Sequence, residues 1–175
     1  MLKKGARANE FKLALQWLID AGLVYRVERY KTPQLPLKFY ADSSAFKIYL
    51  IDVGLLAAMT ETTPQDILIG DAAFSEFKGA FSENYVLEQI IAAESANVYY
   101  FSKDNSQLEI DFLLQTANRI IPTEVKAEEN VKSKSLRTFI QEHDNLKGLR
   151  FSMRPYVDQG WMKNVPLYAC GVCIQ

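Results

Sequence analysis

The chain has 175 residues, of which 49% are hydrophobic and 23% charged, with only 8 glycines and 6 prolines. This composition is typical of a folded domain and excludes disordered and collagen-like chains. The formal net charge is −1, but residues 1–47 contain 9 Lys or Arg against 4 Asp or Glu, so a basic segment precedes an acidic one. No apolar run reaches the roughly 18 residues that span a bilayer. We therefore expect no membrane contact and a cytoplasmic location.

The first elements along the chain are predicted to be a helix followed by a β-hairpin. Apolar residues recur at three- and four-residue spacing in residues 10–21, which predicts an amphipathic helix. Residues 23–30 are rich in Val, Tyr and Arg and predict a strand. A turn-prone, proline-containing stretch follows at 31–36, and residues 37–41 predict the returning strand.

Basic side chains on this hairpin are candidates for nucleic-acid contact, because a cationic surface binds phosphates without reading the base sequence. The candidates are Arg26, Arg29, Lys31 and Lys38. A protein-docking module with solvated charges is an equally good interpretation. The segment alone therefore does not choose between DNA and protein as its partner.

A polar break separates this segment from a second one. Residues 46–51 predict a short apolar strand, and Asp52 is placed to cap the helix that follows. Residues 60–71 are polar and contain a proline, which favours a boundary there. We predict a winged-helix-like module over residues 1–62 and a separate domain over residues 63–175.

The second domain alternates strands and helices in a pattern typical of a mixed α/β fold. A long helix is predicted from Ala72 to about Ala93, and a shorter one at about 133–142. The predicted strands are 97–102, 107–115, 119–127, 149–153 and 167–174. This order predicts a mixed sheet flanked by helices.

The only two cysteines, Cys170 and Cys173, are spaced like half of a zinc site or like a redox dithiol. No second cysteine pair is present. The surrounding apolar residues predict a strand, on which positions three apart point to opposite faces. We therefore interpret the pair as buried thiols.

Glu83 is the first candidate site residue. On the long helix it shares a face with Val86, Leu87 and Ile90, which lie three, four and seven positions further on. A carboxylate on an apolar face is desolvated unless a cation, a donor or a metal meets it. The alternative is a glutamate at the edge of the stripe whose carboxylate reaches solvent.

The second and third strands of this domain supply the partners of Glu83. If the hairpin turns at residues 117–118, opposed residues have numbers that sum to 235, so Asp111 faces Glu124. Lys126 returns to the same face two residues later. Two opposed carboxylates destabilise a sheet, whereas a divalent cation such as Mg²⁺ stabilises them, and a nearby lysine can help to activate water. A purely structural ion pair with Lys126 is the alternative.

These residues carry a resemblance, which rests on four stretches of sequence. The stretches are residues 46–56 (FKIYLIDVGLL), 79–84 (GAFSEN), 109–112 (EIDF) and 123–126 (TEVK). Their order on a helix and a hairpin is similar to the PD-(D/E)xK nuclease superfamily, which has a restriction-endonuclease-like core. Within it, the chain resembles the nuclease-like C-terminal region of a widespread bacterial and archaeal AAA+ ATPase family.

The resemblance implies that Asp111 and Glu124 bind Mg²⁺ or Mn²⁺, that Glu83 supports the site, and that Lys126 helps to activate water for phosphodiester hydrolysis. Two lysines around the start of the next helix, Lys132 and Lys134, are further candidates for phosphate contact, or are solvated helix-terminal charges.

Members of that ATPase family carry a P-loop domain, and no Gly-x-x-x-x-Gly-Lys-Ser/Thr motif occurs in this sequence. An ATPase domain outside this chain is therefore a possible partner. The leading hypothesis is a metal-dependent DNA nuclease domain. The alternative is a non-catalytic module of the same fold that binds nucleic acid or docks onto protein and regulates an ATPase.

Overall fold

The structure is a computed structural model that describes residues 11–32, 34–63, 65, 72–127, 132–143 and 145–173, with side chains described for these residues apart from 72–76. The helices are α1 (Lys12–Asp20), α2 (Val53–Met59), α3 (Ala72–Ala92) and α4 (Lys134–Glu142). The strands are β1 (Val24–Tyr30), β2 (Ala41–Leu50), β3 (Asn97–Ser102), β4 (Glu109–Gln115), β5 (Ile120–Lys126), β6 (Gly148–Ser152), β7 (Val157–Asp158) and β8 (Met162–Pro166).

All eight strands form one mixed sheet in the order β2-β1-β3-β4-β5-β6-β8-β7. β1 and β3 are parallel, as are β5, β6 and β8, whereas β4 is antiparallel to both of its neighbours. Helices flank this sheet, so the predicted α/β class with a mixed sheet is confirmed. Among the described helices, none is both long and apolar enough to cross a membrane.

Two apolar clusters cover the two faces of the sheet. α3 contributes Val86, Leu87 and Ile90, all fully buried, to a cluster that includes Phe112 and Val125. The other cluster joins buried side chains of α4 to buried side chains of β4 and β5, and its members include Leu136, Phe139, Ile110, Leu113 and Ile120. Side chains of β4 and β5 thus contribute to the clusters on both faces of the sheet.

The basic hairpin at the start of the chain belongs to this same sheet. β1 pairs antiparallel with β2, as predicted for a hairpin, and also parallel with β3. The predicted boundary at 60–71 lies partly outside the described residues, and the segments before and after it share one sheet. α1 has no buried residue, so this helix contributes little to the core.

Two predicted strands at the N-terminal hairpin were wrong in detail. Residues 37–41 do not form the returning strand, because Leu37–Tyr40 is a 3₁₀ turn that buries Leu37 against the sheet. The amide of Leu37 donates to Gln115 Oε1 at 2.9 Å. The returning strand starts at Ala41 and includes residues 46–50, which were predicted as a separate strand.

The predicted strand at 167–174 is also wrong, because Leu167–Val172 is a 3₁₀ helix. Leu167 is partly buried and Cys170 is fully buried, and this spacing of three matches the period of a 3₁₀ helix. Cys173 is exposed, so only one of the two thiols is buried. The strand near this place in the chain is β8. It was not predicted because Lys163 and Asn164 within it are polar.

Candidate functional site

The β4–β5 hairpin has the predicted register. Thr116 N donates to Arg119 O at 3.1 Å across the turn. Four pairs follow, from Gln115 with Ile120 to Phe112 with Thr123, and the numbers of each pair sum to 235. The ladder ends there, with Asp111 and Glu124 next beyond its last pair.

Asp111 lies in a β-bulge at the end of this ladder. On β3, Tyr99 pairs with Leu113 and Phe101 pairs with Ile110, so two residues of β4 stand opposite one residue of β3. The core agrees, because Ile110 and Leu113 both pack in the α4 cluster although they are three positions apart. An uninterrupted strand would place them on opposite faces. The bulge therefore aims Asp111 out of the regular alternation.

The Asp111 carboxylate is desolvated and has carboxylate and ammonium neighbours. Val125 N donates to its Oδ2 at 2.8 Å. Burial is the main cause that raises the pKa of Asp111 to about 7, and the charge of Glu83 raises it further. The hydrogen bond from Val125, and the charges of Lys47 and Lys126, oppose this rise. The charges that act on Asp111 thus come both from Glu83 on α3 and from Lys126 at the end of β5.

Glu83 is held from the edge strand β2. The hydroxyl of Tyr49 donates to Glu83 Oε2 at 2.9 Å, and Lys47 Nζ lies 3.8 Å from the same oxygen. Burial raises the pKa of Tyr49 far above its ordinary value, and Glu83 adds to the rise. Tyr49 therefore remains a neutral donor that fixes the Glu83 carboxylate.

Lys47 lies in the candidate site and was not among the predicted residues, although it belongs to one of the stretches that carry the resemblance. Its Nζ is 2.6 Å from Glu109 Oε1 and 5.1 Å from the centre of the Tyr100 ring. Burial alone lowers the pKa of Lys47, but Glu83 and Glu109 outweigh it and the pKa is raised. The side chain therefore stays a cation.

Glu124 and Lys126 form the other half of the site. Lys126 Nζ is 3.0 Å from Glu124 Oε1. Glu124 is only 5% exposed, and its second oxygen, Oε2, has no hydrogen-bond partner. Among the described residues it is the only buried carboxylate oxygen in this condition. A buried acceptor without a partner costs folding free energy. Folding stability therefore does not explain why this oxygen of Glu124 is buried.

Arg150 lies across from Glu124 on β6 and was also missed. It is 6% exposed, its Nε donates to Asn164 Oδ1 at 2.8 Å, and one Nη donates to Ser133 Oγ at 3.1 Å. Burial lowers the pKa of Arg150, which Glu124 opposes. This buried cation, fixed by β8 and by the residue before α4, sets the electrostatic surroundings of Glu124.

The predicted residues therefore fall into two linked groups. Glu83 and Asp111 form one group with Lys47, and Glu124 and Lys126 form the other, with Asp111 and Lys126 electrostatically coupled. No direct contact joins Asp111 to Glu124 among the described contacts. Within the described part of the chain, no three Asp, Glu, His or Cys side chains are grouped closely enough to hold a metal.

The predicted phosphate contacts differ in their availability. Arg29 lies 2.6 Å from Asp42 and 2.8 Å from Asp104, Lys31 contacts the same two carboxylates, and Arg26 pairs with Glu28 at 3.3 Å. The remaining three candidates are exposed and form no ion pair with a described residue: Lys38, Lys132 and Lys134.

A cleft of about 640 Å³ lies at the opposite end of the hairpin from the carboxylates. Its lining includes Asn118 and Arg119 of the β4–β5 turn, together with Lys147 and Lys163. The acidic group, by which we mean Glu83, Glu109, Asp111 and Glu124, is therefore not inside this cavity. It lies near the ends of the strands, where an extended ligand could lie across it.

Family comparisons divide the chain into two parts. A family model described as a domain of unknown function, DUF8612, matches residues 1–66. No curated protein and no solved structure matches the chain. A second model, described as a domain of unknown function, DUF4143, matches residues 78–171, which is just over half of the chain and includes Glu83, Asp111, Glu124 and Lys126. The chain belongs to the DUF4143 family.

Proposed function

We propose that this protein is a divalent-metal-dependent nuclease domain that hydrolyses DNA phosphodiester bonds. The proposal rests on the two carboxylates beyond the β4–β5 ladder. Asp111 is desolvated until its pKa reaches about 7, and one oxygen of Glu124 is buried without a partner. Neither arrangement favours folding, and a bound cation would stabilise both. The likeness to PD-(D/E)xK nucleases supports the same assignment.

The donor set fits Mg²⁺ or Mn²⁺. Magnesium sites use one or two carboxylates, with water and substrate phosphate as the other ligands. Asp111 and Glu124 provide two carboxylates, so a third protein carboxylate is not required. When bound, such an ion supplies a Lewis acid for a phosphoryl oxygen and lowers the pKa of a water molecule.

The chain's own side chains have separate roles in this proposal. Lys126, beside Glu124, holds the attacking water and offsets the negative charge that develops on the phosphate. Glu83 supports the site from α3, because the Tyr49 hydroxyl fixes its carboxylate. The bulge at Asp111 keeps that carboxylate at the end of the sheet, where a phosphodiester can approach it.

The proposed substrate is DNA, bound through its phosphates. Lys132 and Lys134 flank Ser133, which contacts Arg150 beside Glu124. These two exposed lysines are therefore on the same side of the sheet as the Glu124–Lys126 pair and are the best-placed phosphate contacts. The proposal includes a cytoplasmic location and an ATPase domain as a partner.

A second candidate function is a non-catalytic module that docks onto nucleic acid or protein. The observation in its favour is the Lys47 ammonium, which already lies 2.6 Å from Glu109 and 3.8 Å from Glu83. In that case the acidic group is a self-neutralised ion-pair cluster, and its residues serve stability alone.

Cleavage assays distinguish the two functions. Purified protein is incubated with plasmid and with single-stranded DNA in Mg²⁺, Mn²⁺ or EDTA, alongside Glu124→Gln. The matched control is Glu142→Gln. It changes an exposed glutamate of α4 that pairs with Lys103. We expect metal-dependent cleavage by the parent and by the control, and its loss in Glu124→Gln.

The contrary result would be equally clear. Folded parent protein that cleaves neither substrate with either metal, or cleavage that persists at the parent rate in Glu124→Gln, would overturn the nuclease proposal. The first of these outcomes, together with DNA or protein binding, would establish the docking function.

A further inference from the structure

The edge strand β2 brings a cation into the acidic group from the other family segment. Lys47 and Tyr49 lie two positions apart on β2, and both contact Glu83. The matches of the two family models, residues 1–66 and 78–171, assign Lys47 and its carboxylate partners to different segments. The state of the acidic group therefore depends on a side chain outside the nuclease-like segment.

The position of the Lys47 ammonium is set by several contacts. It lies 2.6 Å from Glu109, 3.8 Å from Glu83 and 5.1 Å from the centre of the Tyr100 ring. The charge of Asp111 acts on it as well. One ammonium thus contacts two carboxylates directly and a third electrostatically, which partly offsets the mutual repulsion of these carboxylates.

The backbone that carries Lys47 is fixed to α3. Leu50 N donates to Asn84 Oδ1 at 2.8 Å, and Asn84 Nδ2 donates to Leu50 O at 3.1 Å. Because Asn84 is buried and Tyr49 is bonded to Glu83, strand β2 stays in place when the Lys47 side chain moves. A lysine has a flexible four-carbon side chain, so its head can leave the acidic group without unfolding the hairpin.

We propose that Lys47 is the internal cation of the site, that its ammonium neutralises Glu83, Glu109 and Asp111 in the metal-free protein, and that a divalent metal ion must displace or outcompete it. This inference rests on the proposed function and assigns its regulation. Lys47 is a positioning residue, since it acts through the carboxylates and not on the substrate. Any partner that draws the Lys47 side chain outward would raise the affinity of the site for metal.

The test is direct binding of Mn²⁺ to the full chain, without nucleic acid, by titration calorimetry. Lys47→Met removes the competing charge and keeps most of the side-chain volume. We expect it to tighten Mn²⁺ binding about tenfold or more, because a like charge next to the bound ion is lost. The matched control is Lys103→Met, which removes one cation of the exposed Lys103–Glu142 pair and should leave the Mn²⁺ affinity unchanged.

A second measurement separates charge competition from a merely structural role. Without metal, Lys47→Met should melt at a lower temperature than the parent, since three carboxylates lose their common cation. Added Mn²⁺ should raise its melting temperature more than that of the parent. If the Met variant does not melt cooperatively, Lys47→Gln, which can still donate to Glu109, should show the same direction of change.

Each outcome decides the matter. Equal Mn²⁺ affinity in the parent and in both Lys47 variants, or weaker binding in the variants, would overturn the role of Lys47 while the nuclease proposal stands on cleavage. Absence of Mn²⁺ binding in the parent and in every variant would overturn both proposals. Tighter binding in the Lys47 variants alone would establish the inference.

Discussion

The two hairpins of the sheet differ in how completely their charged side chains are paired. On the β1–β2 hairpin, Arg29 and Lys31 meet Asp42, and Asp104 completes the same network. These cations and carboxylates nearly balance, and the pKa of Asp42 is held below its ordinary value by Ser44 first and then by Arg29. On the β4–β5 hairpin, Glu124 is buried and one of its oxygens has no hydrogen-bond partner, and partial burial together with Glu83 raises the pKa of Asp111.

This comparison distinguishes charges that stabilise the folded state from charges that destabilise it. A network such as that of Arg29 stabilises the folded state by itself. A carboxylate such as Asp111, with its pKa raised to about 7, destabilises the folded state when ionised. The proposed metal ion would explain its presence at the bulge, and the following changes test that proposal.

The largest expected effect is on cleavage. Lys126→Met should leave metal binding nearly intact, since both proposed carboxylate ligands remain, yet reduce the cleavage rate by a factor on the order of 10². Single-turnover cleavage at saturating Mn²⁺ measures it, with Lys103→Met as the charge-matched control. Cleavage by the Met variant at the parent rate would remove Lys126 from the mechanism.

The next effect concerns DNA affinity. We expect replacement of Lys38, Lys132 and Lys134 together by Gln to weaken binding of a labelled duplex by about tenfold at low salt, because these exposed cations form no ion pair with any residue that the structure describes. Replacement of Arg26, Arg29 and Lys31 should weaken it less, since their charges are already paired. Fluorescence anisotropy at several salt concentrations measures both, and the opposite ranking would place the DNA on the β1–β2 hairpin.

A smaller effect is expected on stability at neutral pH without metal. The folded protein holds the Asp111 proton more tightly than the unfolded chain does, so this contribution to stability is complete below about pH 4 and is lost as pH rises through about 7. Asp111→Asn, which still accepts from Val125 N, should therefore raise the melting temperature at pH 8 by about 5 °C in EDTA. A lower melting temperature at pH 8 would contradict the desolvation of Asp111.

The smallest effect is the mirror image on the other hairpin. Because the folded state lowers the pKa of Asp42, its contribution is present above the ordinary value near 4 and is lost as pH falls. Asp42→Asn should lower the melting temperature slightly at pH 7 and should flatten the loss of stability between pH 5 and pH 2.5. Thermal unfolding at a series of pH values follows this change, and an unchanged acid limb would remove Asp42 from the network.

Much of the fold was predictable because local patterns agreed with the final packing. The stripe of Val86, Leu87 and Ile90 predicted α3, and the turn at residues 117–118 predicted the register of β4 with β5. The errors arose where the tertiary environment decided. Leu37 is buried within a 3₁₀ turn rather than a strand, and β8 carries a buried Asn164 that satisfies Arg150 and therefore lacks an apolar signature.

The site was predictable only in part, for the same physical reason. Residue type and spacing along adjacent elements predict the candidates Glu83, Asp111, Glu124 and Lys126. Lys47 and Arg150 act across strands that are distant in sequence, so no local spacing indicates them. The bulge at Asp111 was also unpredictable, because it depends on the pairing of β4 with β3 rather than on the β4–β5 turn.

The central claim is that the carboxylates beyond the β4–β5 ladder bind a divalent metal ion. Titration calorimetry of Mn²⁺ into the parent, Glu124→Gln and the control Glu142→Gln tests it most directly, with folding checked by thermal melting. We predict one saturable site in the parent and in Glu142→Gln, and loss of at least tenfold in affinity in Glu124→Gln. The same weak or absent heat in all three folded proteins would contradict the account.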